Sequence, residues 1–467
     1  IKDLGLDQQV ISVSKSHPSA KKRYIEYNQE INKLPSSLKD ILFENPPIMD
    51  SVIGSIISEP FQPSKTYSND HDDDESIYSF IERRFNQHVA LNLVGAITHG
   101  IYAGDCKSLS VQATFPFLPA YEKKFGSIVK GLISDDLQLD TAQELRIAKE
   151  CQAKDPTWHQ TLQGASVIGL LPGLEALPKK LFQYLDQHPN VDILLNQKVT
   201  QLSIPIYNKN VTHASSPSLK DDMITVSTNH DQQQGQQDHF KSNHIISTLP
   251  AKALHELIPS LPHLDYNPNV NVAVVNVAYP KKAIDFKLDG FGFLTPHRDS
   301  LMRLSTKVPG LLGVIFDSNS MGEQDQDYIR FTAMIGGSDW DLAFGDDHLP
   351  STLTSHALSL TKKIMSDYLS IHNNKGHVEP SYYQVNILQE CLPQYLVGHP
   401  KRMTDLHHAI QDQMGHQLSV TGASYLGVSV GDCIKNSRVL VDNLVSSGTL
   451  GNRSTFITGL EKSLHSI

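Results

Sequence analysis

The stretch Thr421-Gly-Ala-Ser-Tyr-Leu-Gly-Val-Ser-Val-Gly-Asp-Cys-Ile434 decides how this chain is read. Val420 ends a short apolar run that predicts a strand, and the glycines after it let a ligand approach the backbone. A helix is expected from about Asp432 to Val445. Unsatisfied N–H groups and the positive end of the dipole at such a helix start favour an anionic ligand. An ordinary strand, turn and Asp-capped helix fits the same letters, so other segments must decide.

Working outward, apolar runs predict strands at Val270–Tyr279, Leu311–Phe316 and Tyr328–Ile335. Shorter strands are expected at Val191–Leu195, Lys198–Ser203, Met223–Ser227 and His244–Leu249, with polar loop insertions at 204–222 and Gln232–Gln237. Helices are expected at Ala142–Lys154, Leu174–Leu185, Ala251–Ile258 and Ser351–Leu369. Tyr24–Ile31 reads as a hairpin. Ile41, Leu42, Val52, Ile53, Ile56 and Ile57 give a helical pattern across 35–61, and Ile77, Phe80, Ile81, Phe85 and Val89 form one apolar stripe. Strands and helices alternate without simple βα periodicity. That predicts a mixed α/β and α+β chain whose domains interrupt one another.

The 467 residues are enough for about three domains. Lys and Arg number 40 against 50 Asp and Glu, a net charge of −10, which argues against a nucleic-acid partner. No apolar run approaches the roughly 18 residues of a spanning helix. Cys106, Cys151, Cys391 and Cys433 lack C-x-x-C spacing and are expected to be reduced core residues, with no metal site. His407 and His408 are expected to face solvent, and Asn210-Val-Thr212 and Asn452-Arg-Ser454 to be chance matches to a glycosylation acceptor. The first residue is Ile1, without secretory or presequence features, so a processed chain or a fragment is expected.

Two further stretches can carry chemistry. Gly290-Phe-Gly-Phe-Leu294 has one G-x-G but Thr295 where a third glycine would stand, so it is no dinucleotide loop. It fits either a pocket for a flat apolar substrate or a hairpin edge with two core Phe. Lys21-Lys22-Arg23 fits a solvated turn, yet Arg23 beside an apparent strand also suits capture of a carboxylate.

Taken together, the chain resembles the protoporphyrinogen oxidase family, fungal mitochondrial in type, within the flavin amine-oxidase-like superfamily. The likeness runs through Leu34-Pro-Ser-Ser-Leu38, Glu75–Phe85, Gly100-Ile-Tyr-Ala-Gly-Asp105 with Leu109-Ser110, and Phe115-Pro116 with Gly126–Gly131. It continues through Ile246–Ala251, Cys391–Tyr395 with Gly398-His399, and Gly422–Ile434.

The resemblance implies an FAD/NAD(P)-binding fold with an interleaved substrate domain and a helical membrane-associated domain. It implies a remnant of the FAD part at 1–17, the helical part at 18–145, FAD-binding parts at 146–250 and 386–460, and the substrate domain at 251–385. By residue, it implies that Arg23 holds a propionate and that Phe291, Gly292 and Leu294 line the pocket, with the Gly292 carbonyl near the reacting ring as the catalytic position. It also implies that Val199 covers the adenine of FAD and that Val428, Ser429 and Val430 lie along the isoalloxazine, where the helix start would stabilise a reduced flavin. The family's opening glycine loop, which holds the FAD pyrophosphate, is not among these residues. A missing N-terminal βαβ unit and poor FAD binding by residues 1–467 alone are therefore expected.

The implied reaction oxidises protoporphyrinogen IX to protoporphyrin IX in haem biosynthesis. Hydride would pass to flavin N5, and O₂ would become hydrogen peroxide. The setting would be the surface of the mitochondrial inner membrane, with ferrochelatase as a candidate partner and a homodimer as a candidate assembly. The rivals are a non-catalytic relic of the family and another flavin oxidase or desaturase of the same fold.

Overall fold

β-Branched and aromatic residues concentrate in the runs that become the long strands. A computed structural model describes residues 1–35, 47–66, 73–134, 142–205, 223–230, 237–300, 307–321, 325–345, 349–373, 376–447 and 456–464. Ile41 and Leu42 of the expected helix, both glycosylation triplets, most of the 204–222 insertion and nearly all of Gln232–Gln237 lie outside them.

The strands, in chain order, begin with β1 (Val10–Ser14), β2 (Arg23–Tyr27), β3 (Glu30–Leu34), β4 (Ala165–Leu170), β5 (Gln197–Ser203), β6 (Ile224–His230), β7 (Gln237–Ser242) and β8 (Ile245–Ser247). There follow β9 (Asn269–Pro280), β10 (Gly292–Leu294), β11 (Leu311–Ile315), β12 (Tyr328–Gly336), β13 (His372–Asn373), β14 (Gly376–His377), β15 (Tyr382–Pro393) and β16 (Leu418–Val420). Among the described residues, seven of them form the main sheet in the order β15-β9-β12-β11-β10-β2-β3.

Alternation gives this sheet two unlike faces. Ala273, Val275, Val277, Phe331, Ala333, Ile335, Val314 and Phe293 point into one core. The helix Pro350–Leu369 covers it, opened by a proline at its first position and burying Leu353, Ala357, Ile364 and Met365. Fully burying one such side chain contributes roughly 1.5–3 kcal/mol. Phe331→Ala would cost about 3–5 kcal/mol because the packed sheet cannot close the hole.

Ile25 and Tyr27 face the opposite way, into a second core shared with Ile77, Phe80, Ile81, Val89 and Ala90 of the helical part. That part is tied by buried charge. Glu59 accepts hydrogen bonds from Arg84 Nε at 2.9 Å and from the Ile128 and Val129 N–H groups at 2.9 and 3.1 Å. Both Glu59 and Arg84 are wholly buried. Burial pushes the Glu59 carboxyl up, but the Ser127 hydroxyl, the Ile128 N–H and Arg84 together hold it below the ordinary glutamate value.

Several expectations are corrected. The hairpin 23–34, grouped above with the helical part, supplies two strands of the main sheet, and β15 carries that sheet to Pro393, past 385. Val191–Leu195 forms no strand: Leu194 and Leu195 are exposed, with Asn196 turning the chain at φ 57°. The stripe from Ile77 to Val89 is broken at Arg84, and a wide helical turn, Val89–Val94, then leads into Gly95–Tyr102. Gly292–Leu294 is an interior strand between β2 and β11 rather than a hairpin edge. His407 is buried, bonded to the Thr458 hydroxyl at 2.7 Å. All four cysteines are free thiols, but only Cys106 is buried.

Candidate active site

Register brings the pocket residues together. Phe293 pairs with Tyr24, and both enter the buried core. Gly292 and Arg23, one residue earlier on each strand, therefore lie on the opposite face. On that face Gly292 is opposite Ile315, Ile315 opposite Thr332, and Thr332 opposite Asn276. Strands are spaced about 4.8 Å, so this row of five residues crosses about 19 Å of the sheet. Leu294, Met334 and Val274 form the next row, with Ala103, Leu312 and Leu392 packed beside it.

Arg23 is exposed. It donates to the Ser19 carbonyl, and its guanidinium lies 4.9 Å from the centroid of Phe291. The contact orients the fork without using all of its donors. Gly292 is required by space: a Cβ there would sit 2.1 Å from the Val314 carbonyl oxygen.

Sequence reasoning missed the polar end of the row. Asn276 Nδ2 donates to Thr332 Oγ1 at 2.7 Å, and Thr332 Oγ1 donates to Asp317 Oδ2 at 2.6 Å. Burial raises the Asp317 carboxyl above its ordinary value despite the Thr332 bond and the nearby Arg330 charge. Asn276 and Asp317 border a cavity of about 480 Å³, reached also by Leu170 and Met321. The available signal was Asn276 inside the apolar run Val272–Tyr279.

The loop after β16 runs to the helix Val430–Ser446, two residues earlier than expected. Ser429, not Asp432, is therefore the cap: its hydroxyl accepts the Asp432 N–H at 3.0 Å and donates to the Asp432 carboxylate at 2.7 Å. At Gly427, with φ 153°, a Cβ would strike the Asp432 side chain at 2.5 Å. Val430 and Ile434 stand exposed beside this helix start. An apolar surface next to a helix start fits a flat ring with a polar edge, as flavin has. The Asp432 charge raises the Tyr102 hydroxyl after the larger effect of burial, which places this loop near the helical part. Val199 lies apart, half-buried on β5 in a three-stranded sheet with β6 and β7.

Asp105, Cys106 and His297 also cluster, with their ligand atoms within 4.8 Å of one another. His297 Nε2 is already bonded to Asp105 Oδ1 at 2.8 Å, and burial pushes the Cys106 thiol up to about 12. A thiol so held is a poor metal ligand.

The model of flavin-containing amine oxidoreductases matches residues 1–387. The chain is 30% identical to human protoporphyrinogen oxidase over 451 residues, covering 94% of this chain and 82% of that protein. It belongs to the flavin-containing amine oxidoreductase family, in its protoporphyrinogen oxidase branch. The Schizosaccharomyces pombe protoporphyrinogen oxidase is 28% identical, with 96% and 83% of the two chains covered. A crystal structure from Exiguobacterium sp. 255-15, provisionally described as the same enzyme, aligns with a TM-score of 0.67 at 18% identity over 97% of this chain and 84% of that one, and shows the fold. The chain is thus a flavin-dependent oxidoreductase, and its cofactor is FAD.

Proposed function

We propose that this protein oxidises protoporphyrinogen IX to protoporphyrin IX. The observation that carries the reading is the row Arg23–Gly292–Ile315–Thr332–Asn276 on one sheet face, with a cation at one end and the Asn276–Thr332–Asp317 hydrogen-bond chain at the other. FAD, when bound, supplies the two-electron acceptor that O₂ then regenerates. Each of three rounds removes two electrons and two protons from the substrate and turns one O₂ into hydrogen peroxide.

The chain's own residues bind and orient. Arg23 takes a propionate in a charge-assisted fork, and Phe291 and Leu294 flank the macrocycle. Gly292 offers its carbonyl without a side chain in the way. The Asp317 carboxylate, raised by burial and bonded by the Thr332 hydroxyl, offers a place for a released proton. Val428, Ser429 and Val430 border the isoalloxazine, and Val199 the adenine. Positioning does most of the work.

The same proposal sets the protein on the mitochondrial inner membrane. Among the described residues no helix is long and apolar enough to cross a membrane. Ile57, Phe61, Leu132 and Ile133 are 67, 86, 59 and 80% exposed on segments joined through Glu59, with Lys123, Lys124 and Lys130 nearby in the chain. Apolar side chains with lysines suit an anionic lipid surface. The mitochondrion, a dimer and ferrochelatase rest on the family resemblance alone.

The test gives FAD-loaded protein protoporphyrinogen IX in air and follows porphyrin fluorescence and peroxide. Both should rise together. Flavin-loaded protein that leaves this substrate untouched yet oxidises a polyamine ends the proposal in favour of the amine-oxidase rival.

A further inference from the structure

The segment Gln394–His399 joins parts of the molecule that are distant in sequence. Its backbone is tied to the helical part. The Ser110 N–H donates to the Tyr395 carbonyl at 2.8 Å, the Val397 N–H to Ser108 at 3.0 Å, and the Gly398 N–H to Asp74 at 2.6 Å.

Its side chains reach the other way, into the loop after β16. The Tyr395 hydroxyl donates to the Ala423 carbonyl at 2.6 Å and accepts the Gly427 N–H at 2.9 Å. His399 Nε2 lies 2.6 Å from the Tyr425 carbonyl. A carbonyl only accepts, so Nε2 carries the proton, and Nδ1 accepts from Asn267 Nδ2 at 2.9 Å. The two rings stack 3.9 Å apart at an interplanar angle of 8°. Burial lowers His399 to about 4 and raises the Tyr395 hydroxyl, so both rings stay neutral in use.

Buried, satisfied rings are usually just structural. Here three bonds converge on the backbone of a single loop, at 423, 425 and 427. That loop has glycines at positive φ, Gly422 at 121° and Gly427 at 153°, and no strand or helix pairing of its own. Its own turn rests on a single bond, the Tyr425 N–H to the Gly422 carbonyl at 3.3 Å, so contacts from outside must steady it.

We infer that Tyr395 and His399 are positioning residues, a stacked clasp that sets the 423–427 backbone against the flavin and ties it to the helical part. The inference rests on the reading that Val428–Val430 border the isoalloxazine.

Tyr395→Phe keeps the stack and removes both hydroxyl bonds. His399→Leu removes the donor to Tyr425, while His399→Gln restores a donor at the same reach. For each FAD-loaded variant the measurements are melting temperature, FAD dissociation constant, the visible spectrum of the bound flavin, and kcat with KM. Tyr395→Phe and His399→Leu should each weaken FAD binding about tenfold, as losing one or two buried hydrogen bonds does. They should also shift the flavin band and lower kcat, with KM within about twofold. His399→Gln should recover most of this. Asn267→Ala, which frees the His399 tautomer and spares the stack, should show a weaker form of the same pattern and serves if another variant does not fold.

A lowered melting temperature with unchanged flavin affinity, spectrum and kcat would make the clasp merely structural and overturn the inference. A folded His399→Gln as impaired as His399→Leu would overturn it too. If the unaltered protein binds FAD and turns over while Tyr395→Phe matches it, the clasp alone falls. If replacing Val428 and Val430 leaves flavin affinity and the flavin spectrum of the FAD-loaded protein unchanged, the reading beneath it falls as well.

Discussion

Gly292→Ala should lower turnover sharply in a protein that still folds. A Cβ at 292 would stand 2.1 Å from the Val314 carbonyl oxygen and 3.0 Å from Ile315 Cα, both backbone atoms of β11. A relaxed carbon–oxygen contact needs well over 3 Å, so β10 and β11 must part by about 1 Å. No side chain can swing aside to absorb this. Overpacking of this kind costs about 1–3 kcal/mol, which the large core on the other face of the sheet can sustain. A displacement near 1 Å of the reacting geometry can cost about 100-fold in rate. The assay pairs thermal melting with porphyrin fluorescence under substrate saturation. The expected result is a modest fall in melting temperature, about 100-fold lower kcat, and FAD content unchanged, because the clash falls on β11 and not on the Thr421–Val430 loop. Wild-type kcat in Gly292→Ala would refute the placement of the reacting ring over Gly292. Loss of FAD together with activity would refute the confinement of the clash to the β10–β11 pair.

Arg23→Ala should raise KM about tenfold or more, the loss of a charge-assisted hydrogen bond worth roughly 1.5–3 kcal/mol, with the rate of flavin reduction at saturation little changed; an unaltered KM returns Arg23 to a surface role. Glu59→Ala strips one of two carboxylates from buried Arg84, which keeps Glu122, and the acceptor from two helix-start N–H groups, so urea unfolding should show a loss of about 2–4 kcal/mol, and a loss under 1 kcal/mol would mean the knot is dispensable. Stability should fall as pH drops from about 6.5 to about 4. His399, held at about 4 by burial, stays neutral when folded while its unfolded form takes a proton, a term of about 3 kcal/mol. His244 and His407 shift the same way, so melting temperature should decline across this window and His399→Gln should flatten the decline; a wild-type slope in that variant would remove His399 as a cause.

What could be read in the sequence was local. The Gly422–Ile434 stretch was legible as strand end, glycine turn and helix start because those signals act within a few residues, although the cap is Ser429 and not Asp432. The long strands and the 350–369 helix announce theirs because apolar spacing is a property of one segment. The fold family followed from ordered motifs of that sort. What stayed hidden was pairwise. Nothing in Val191–Leu195 says that no strand waits to pair with it, and nothing in 23–34 says that β10 lies beside it in parallel. The active face depends on such register: a slip of one residue between β10 and β2 would turn Arg23 to the core face and leave Gly292 without its neighbour. The Asn276–Thr332–Asp317 chain spans three separate segments, so no local pattern contains it, and Asn276 inside Val272–Tyr279 is its single trace. Tyr395 and His399 make the same point more strongly. Their spacing belongs to a motif visible in the sequence, yet their work is done on residues 423–427, and only the fold puts the two within hydrogen-bonding distance.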